Sequence, residues 1–189
     1  MCLNDTKKLR LVLKSPGNDI WYEDECHFQQ HGTRCRMWVP PEEEDPIIQH
    51  ASTRKSMALF GAVSAATGQL VTMDAAIFNA ETFLLFLKKV LRSKKRGKKT
   101  ILILDNARYH HAIMIQPWLN KNKGKIQLLF LPPYSPDLNN IERVWKMTRR
   151  ICTHNRYFAT IDELLRVVKQ QMKIWRKPNE TLRKLCCIN

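Results

Sequence analysis

The chain has 189 residues, 44% of them hydrophobic, and 32 Lys and Arg against 17 Asp and Glu give a formal charge of +15. That is enough apolar chain for one domain with its own core, which excludes a disordered tail or a polar linker. No apolar run reaches the roughly 18 residues that cross a bilayer and Met1 to Ser15 lacks a signal-peptide core, so a cytoplasmic protein with no membrane partner and a polyanionic one, nucleic acid first, is expected.

Residues 1–18 read as a basic lead-in ending at a turn, Ser15-Pro16-Gly17-Asn18. Ile20 to Asp24 predicts a short strand, and Arg34 to Val39 a second one halted by Pro40-Pro41. The acidic run Glu42 to Asp45 predicts a solvated loop between Pro41 and Pro46. Lys55 to Ala66 and Leu70 to Ile77 predict two strands joined by the turn Thr67-Gly68-Gln69. Ala80 to Arg92 then predicts a helix capped by Asn79, with Phe83, Leu84, Leu87, Val90 and Leu91 at helical spacing.

Lys99 to Asn106 and Lys125 to Leu131 are continuous apolar runs, as expected of parallel strands covered on both faces. His111 to Asn122 predicts a helix between them. Asn139 to His154 and Thr160 to Arg176 predict two more, the second opened by the capping box Thr160-Ile161-Asp162-Glu163. Antiparallel strands first, then alternating helices and strands, amount to one α/β domain with a mixed central sheet flanked by helices. Residues 1–19 are expected as a linker remnant, 20–178 as the domain and 179–189 as a tail.

The six cysteines include no Cys-x2-Cys pair, so no structural zinc site is expected of them. Basic residues cluster from Arg92 to Lys99, six without an acid, and from Arg143 onward, twelve against Asp162, Glu163 and Glu180. Such clusters suit phosphate contacts or a solvated helix face equally well.

Two predicted strands end in aspartate, at Asp24 and Asp105. In open α/β sheets, sites form beyond the carboxyl ends of parallel strands. A carboxylate closing an apolar run needs neutralising, and a divalent cation with hard oxygen ligands would do it. Capping of a turn or of the next helix is the other reading of each. The third apolar run leads into a proline-fixed path, Leu131-Pro132-Pro133-Tyr134-Ser135-Pro136-Asp137-Leu138, and then into Asn139-Asn140-Ile141-Glu142-Arg143-Val144-Trp145. Asn139 or Asn140 can cap the next helix, which puts Glu142 in its first turn. Glu142 there is either a ligand, a first-turn acid favoured by the helix dipole, or a partner of Lys146 four residues on.

Four segments in order resemble the mariner-like superfamily of DDE transposases, in its bacterial insertion-sequence branch. They are Trp21 through Phe28, Phe60-Gly61-Ala62-Val63 with Thr67-Gly68, Leu104 through His110, and Leu131 through Trp145. The resemblance implies an RNase H-like fold over about residues 20 to 175. Residue by residue, it implies the catalytic, metal-binding carboxylates Asp24, Asp105 and Glu142, with Glu25 completing the family's Asp-Glu pair without being a ligand. Strand alternation agrees, since Asp24 shares a face with Ile20 and Tyr22 while Glu23 and Glu25 point away. Asn140 stands where the family usually has proline, which is expected to loosen the helix start slightly.

The implied activity is metal-dependent DNA cleavage and strand transfer by a transposase catalytic domain, with two Mg2+ ions, replaceable by Mn2+. An idle relic that only binds DNA is the alternative, and the presence of all three carboxylates speaks for an intact site. His110 is expected either to touch a phosphate, to orient a ligand, or to be structural. Arg143, Lys146, Arg149 and Arg150, on the helix that presents Glu142, are candidate phosphate contacts. The expected partners are double-stranded DNA, at the element ends and the target, and a second copy of the chain on that DNA. An upstream helix-turn-helix segment, supplied by a split frame or a separate polypeptide, is expected to read the ends.

Overall fold

The computed structural model describes residues 15–44, 46–93, 97–133 and 135–186. Its strands are β1 (Asn18–Gln29), β2 (Ser56–Ser64), β3 (Leu70–Asp74), β4 (Lys99–Leu104) and β5 (Ile126–Phe130). Its α-helices are α1 (Ala80–Ser93), α2 (Gln116–Lys121), α3 (Ile141–Cys152), α4 (Ile161–Trp175) and α5 (Glu180–Cys186). The strands form one sheet in the order β3-β2-β1-β4-β5. β2 pairs antiparallel with both β1 and β3, whereas β1, β4 and β5 run parallel to one another. The mixed sheet flanked by helices is the architecture read from the sequence.

Side-chain alternation along the strands divides the core in two. Ile20, Tyr22, Ile101 and Ile103 meet Val144 and Trp145 of α3, Leu164 and Val168 of α4, and Leu182 of α5. Trp21, Phe60, Leu102 and Leu104 meet Phe83, Phe86, Leu87 and Val90 of α1 on the other face. The β4 run is buried from Thr100 to Leu104 because helices cover both of its faces. Asn79 caps α1, its Oδ1 accepting from the Thr82 amide at 2.9 Å. Thr160 caps α4 by accepting from the Glu163 amide at 3.3 Å, while Glu163 accepts from Ala159, one residue earlier than a regular capping box would have it.

Several boundaries differ from the sequence reading, each for a physical reason. β1 runs on to Gln29 because Cys26 and Phe28 continue the buried alternation begun by Ile20 and Tyr22. Arg34 to Val39 is not a strand. Its backbone is tied instead by a side chain, with the Cys35 amide donating to Asn155 Oδ1 and the Cys35 carbonyl accepting from Asn155 Nδ2. β3 stops at Asp74, short of Ile77. The helix expected over His111 to Asn122 is two 3-10 turns followed by α2, because Pro117 has no amide to give and fits only in a first turn. Residues 180–186, expected within a tail, form α5, whose Leu182 and Cys186 are fully buried.

The turn Ser15 to Asn18 closes as expected, the Asn18 amide donating to the Ser15 carbonyl. The rest of the basic lead-in lies outside the described residues. Gly68, at φ +66°, makes the turn between β2 and β3 and leaves room for the chain before α5, since a Cβ there would run into the Asn179 carbonyl. No helix among the described residues is long and apolar enough to cross a membrane.

Candidate active site

Parallel pairing of β1 with β4 sets Tyr22 against Ile103, and two residues further along each segment Asp24 and Asp105 line the same cleft. The loop after β5 brings in the third carboxylate. Asn139 Nδ2 donates to the Glu23 carbonyl at 2.7 Å and so pins that loop to β1 immediately before α3. Asn106 Nδ2 donates to the Leu131 carbonyl, holding the ends of β4 and β5 together. The result is a cleft of about 370 Å³ lined by Asp24, Asp105, Asn106, Asn139 and Glu142, with Leu131, Pro132 and Pro133 as its apolar wall.

Neither asparagine caps α3 with its side chain. Asn139 is spent on β1, and Asn140 Nδ2 donates instead to the Cys186 carbonyl of α5 at 3.3 Å. Asn140, in place of the family's usual proline, therefore ties the start of α3 to α5.

The carboxylates sit in different surroundings. Asp24 Oδ2 accepts a hydrogen bond from Trp145 Nε1 at 3.1 Å. The indole, 1% exposed, lies against Gly61, the residue paired with Asp24 across β2. Burial first, and then the charges of Glu25 and Glu142, push the Asp24 carboxyl up to about 8. Asp105 is open to solvent, with 56% of its side chain exposed. Its Oδ1 accepts from the Ala107 amide at 2.9 Å and lies 3.2 Å from His110 Nδ1. Glu142 is half-buried in the first turn of α3, and no ion pair joins it to Lys146 among the described residues. An all-oxygen set of crowded carboxylates is the donor chemistry that hard divalent cations take.

The basic candidates divide by exposure. Arg143, Lys146 and Arg150 are exposed along one side of α3, Arg143 also donating to the Leu185 carbonyl at 3.2 Å. Arg149 turns inward, donating to Cys26 Sγ at 3.1 Å and stacking over the Phe28 ring. His110 is 1% exposed and packed against Phe83 and Tyr109, so it faces carboxylates rather than solvent. Of the roles read for it, a structural one and orienting a ligand both fit this placement, and touching a phosphate does not.

A neighbouring group went unseen in the sequence reading. Glu23, fully buried on the face of β1 opposite Asp24, lies with Glu25 around His110. The signal was the alternation that turns Glu23 and Glu25 away together. Their meeting with His110 depends on the β1–β4 pairing, which no local pattern reveals.

The family model described as "DDE superfamily endonuclease" matches residues 19–165. Among curated relatives, the Insertion element IS630 uncharacterized 39 kDa protein of Shigella sonnei is 26% identical over 159 residues, 84% of this chain and 46% of that protein. The Tcb1 transposase of Caenorhabditis briggsae is 27% identical over 149 residues, 70% of this chain and 51% of its own. The chain thus spans about half the length of these two relatives. Among solved structures, the Mos1 strand transfer complex superposes with a TM-score of 0.69 at 18% identity, covering 97% of this chain and 55% of that one. The catalytic domain of the Mos1 mariner transposase gives 0.58 at 16% identity, covering 97% and 87%. These superpositions establish the RNase H-like fold. With the family model matching residues 19–165, more than three-quarters of the chain, the chain belongs to the DDE superfamily of endonucleases, in the branch of the mariner and IS630 transposases.

Proposed function

We propose that this chain is the catalytic domain of a cut-and-paste transposase, cleaving double-stranded DNA at element ends and joining the freed end to target DNA. One observation carries the reading: Asp24, Asp105 and Glu142, from three segments far apart in sequence, line one cleft. Asp24 and Asp105 would hold divalent cations between them, with Glu142 completing the set from α3. When bound, two such ions activate the attacking water or 3′-hydroxyl and stabilise the leaving oxygen of an in-line displacement. The donor set is hard oxygen, which fits Mg2+ and admits Mn2+. Crystal structures of Mos1 paired-end complexes have been solved with Mn and with Mg.

The chain's own residues supply the positioning. Trp145 holds one Asp24 oxygen, the Ala107 amide holds one Asp105 oxygen, and Asn139 fixes the loop that aims Glu142. Leu131, Pro132 and Pro133 form a rigid apolar wall on one side of the cleft. Arg143, Lys146 and Arg150 present cations on the exposed side of the same helix, where the DNA backbone would lie. We also assign to this reading a homodimer on paired ends and an upstream helix-turn-helix segment that reads the end sequence.

The test is cleavage of a duplex bearing the element end, with Mg2+ or with chelator, by the chain alone and by the chain joined to its upstream segment. Metal-dependent nicking that Asp105→Asn abolishes supports the proposal. DNA binding without cleavage in every arm would favour the idle, DNA-binding reading. Cleavage that survives in Asp24→Asn, Asp105→Asn and Glu142→Gln would place the chemistry elsewhere.

A further inference from the structure

On the face of β1 turned away from the catalytic cleft, three side chains bring unpaired ligand atoms together. Glu23 is fully buried, and neither of its carboxyl oxygens has a hydrogen-bond partner. Glu25 Oε1 and His110 Nε2, also buried, are in the same condition. His110 Nε2 lies 3.3 Å from Glu25 Oε1 and 3.9 Å from Glu23 Oε2, and one atom from each side chain falls within 4.8 Å of the others.

Buried polar atoms are normally satisfied, and a carboxylate left bare in an interior is costly. The spacing is that of ligands around an ion. Two donors at about 2.1 Å from a tetrahedral centre stand roughly 3.4 Å apart. The other nitrogen supports the same conclusion. A metal-bound histidine usually hands its second ring N–H to a carboxylate, which fixes the tautomer, and His110 Nδ1 lies 3.2 Å from Asp105 Oδ1. Phe83 and Tyr109 hold the imidazole in that orientation from the sides. Glu25, the partly exposed member at 15%, gives the site its opening to solvent.

We propose that Glu23, Glu25 and His110 form a second divalent-cation site, behind β1 and distinct from the cleft of Asp24, Asp105 and Glu142. One imidazole nitrogen and two carboxylates select an ion of the Zn2+ or Mn2+ class over Mg2+, which prefers an all-oxygen octahedron and retains several waters. The ion clamps β1 to the turn after β4. Through His110 it also orients the Asp105 carboxylate, so the rear site positions a residue of the front one.

The test separates this site from the proposed catalytic one. A background of Asp24→Asn, Glu142→Gln and Cys35→Ser removes two front carboxylates and the exposed thiol, which lies 3.2 Å from His154 Nδ1 and could itself take zinc. The protein is stripped with chelator, dialysed against Zn2+, and its bound metal measured, with circular dichroism as the check on folding. One equivalent of Zn2+ retained in this background, and bound at least about 10-fold more weakly after Glu25→Gln or Glu23→Gln, is the expected result. Glu25→Gln alters a partly exposed side chain and keeps the test decisive if Glu23→Gln does not fold. A shift of the His110 Nε2 resonance on adding Zn2+, with Nδ1 still protonated, would show the imidazole as ligand. A folded background protein that takes up no Zn2+, or takes it up equally well in both Gln variants, overturns the proposal whatever the protein does to DNA.

Discussion

Replacing Gly61 by alanine puts a methyl group where the Trp145 indole lies. The ideal Cβ falls on the Cη2 and Cζ2 atoms of the ring, well inside van der Waals contact. Relief is hard to find, because the indole is 1% exposed and wedged between the sheet and the rest of α3. At an unstrained strand position a Gly→Ala change would stabilise by about 0.4–1 kcal/mol through the unfolded chain. Overpacking a tight core costs about 1–3 kcal/mol. So severe an overlap belongs at the upper end, for a net loss of roughly 2 kcal/mol, or a fall in Tm of about 4–8 °C for a domain this size. The indole also donates to Asp24, so its displacement should lower divalent-metal affinity at the front cleft. Denaturant unfolding followed by circular dichroism measures the loss. The decisive comparison repeats Gly61→Ala in a Trp145→Phe background, where the smaller ring vacates the space and the penalty should shrink by at least about 1 kcal/mol. A full penalty in that background, or a Gly61→Ala protein as stable as the parent, would refute the packing assigned to this pair.

The Asp24 carboxyl, pushed up to about 8 by burial and its acidic neighbours, keeps a proton in the fold that the unfolded chain releases near pH 4. Stability in chelator should therefore fall as pH rises from about 4 to 8, with this group contributing at most about 1.4 kcal/mol per pH unit, and divalent cation should flatten the fall; a Tm independent of pH and of metal in this window would contradict it. Leu182→Ala, at a fully buried side chain of α5, should cost about 2–5 kcal/mol in denaturant unfolding, whereas a dispensable tail would show almost no loss. DNA affinity should fall steeply with salt, and Lys146→Ala with Arg150→Ala should together reduce the log–log slope by about 2 if each meets one phosphate; a slope near zero in the parent would remove the phosphate-contacting surface from the account.

The local signals read well where one residue and its near neighbours decide the outcome. Asn79 and Thr160 cap their helices as expected, and the apolar runs ending at Leu104 and Phe130 are the parallel strands. The three cleft acids were local candidates because each closes an apolar run or opens a helix beside a distinctive proline segment, and the resemblance to the transposase family is what singled them out. Features set by distant partners were not legible. Arg34 to Val39 has strand-like residues, but its backbone is satisfied by the Asn155 side chain. Asn139 and Asn140 looked like caps and became tertiary ties, because Glu23 and Cys186 carbonyls stood within reach. The sequence left His110 open between a phosphate contact, a ligand-orienting group and a structural histidine, and its burial among carboxylates contributed by β1 depends on strand pairing. The fit of Trp145 against Gly61 is likewise invisible until β2 and α3 are placed.

The central claim is that Asp24, Asp105 and Glu142 work as one centre, and cleavage by combined variants tests it most directly. Groups that act as a unit give non-additive losses. The account predicts that Asp105→Asn and Glu142→Gln each lower the metal-dependent cleavage rate by about 10³-fold or more, and that the double variant is no slower than the worse single one. Losses that multiply in the double variant, or an Asp105→Asn protein that cuts at the parent rate, would contradict a single centre.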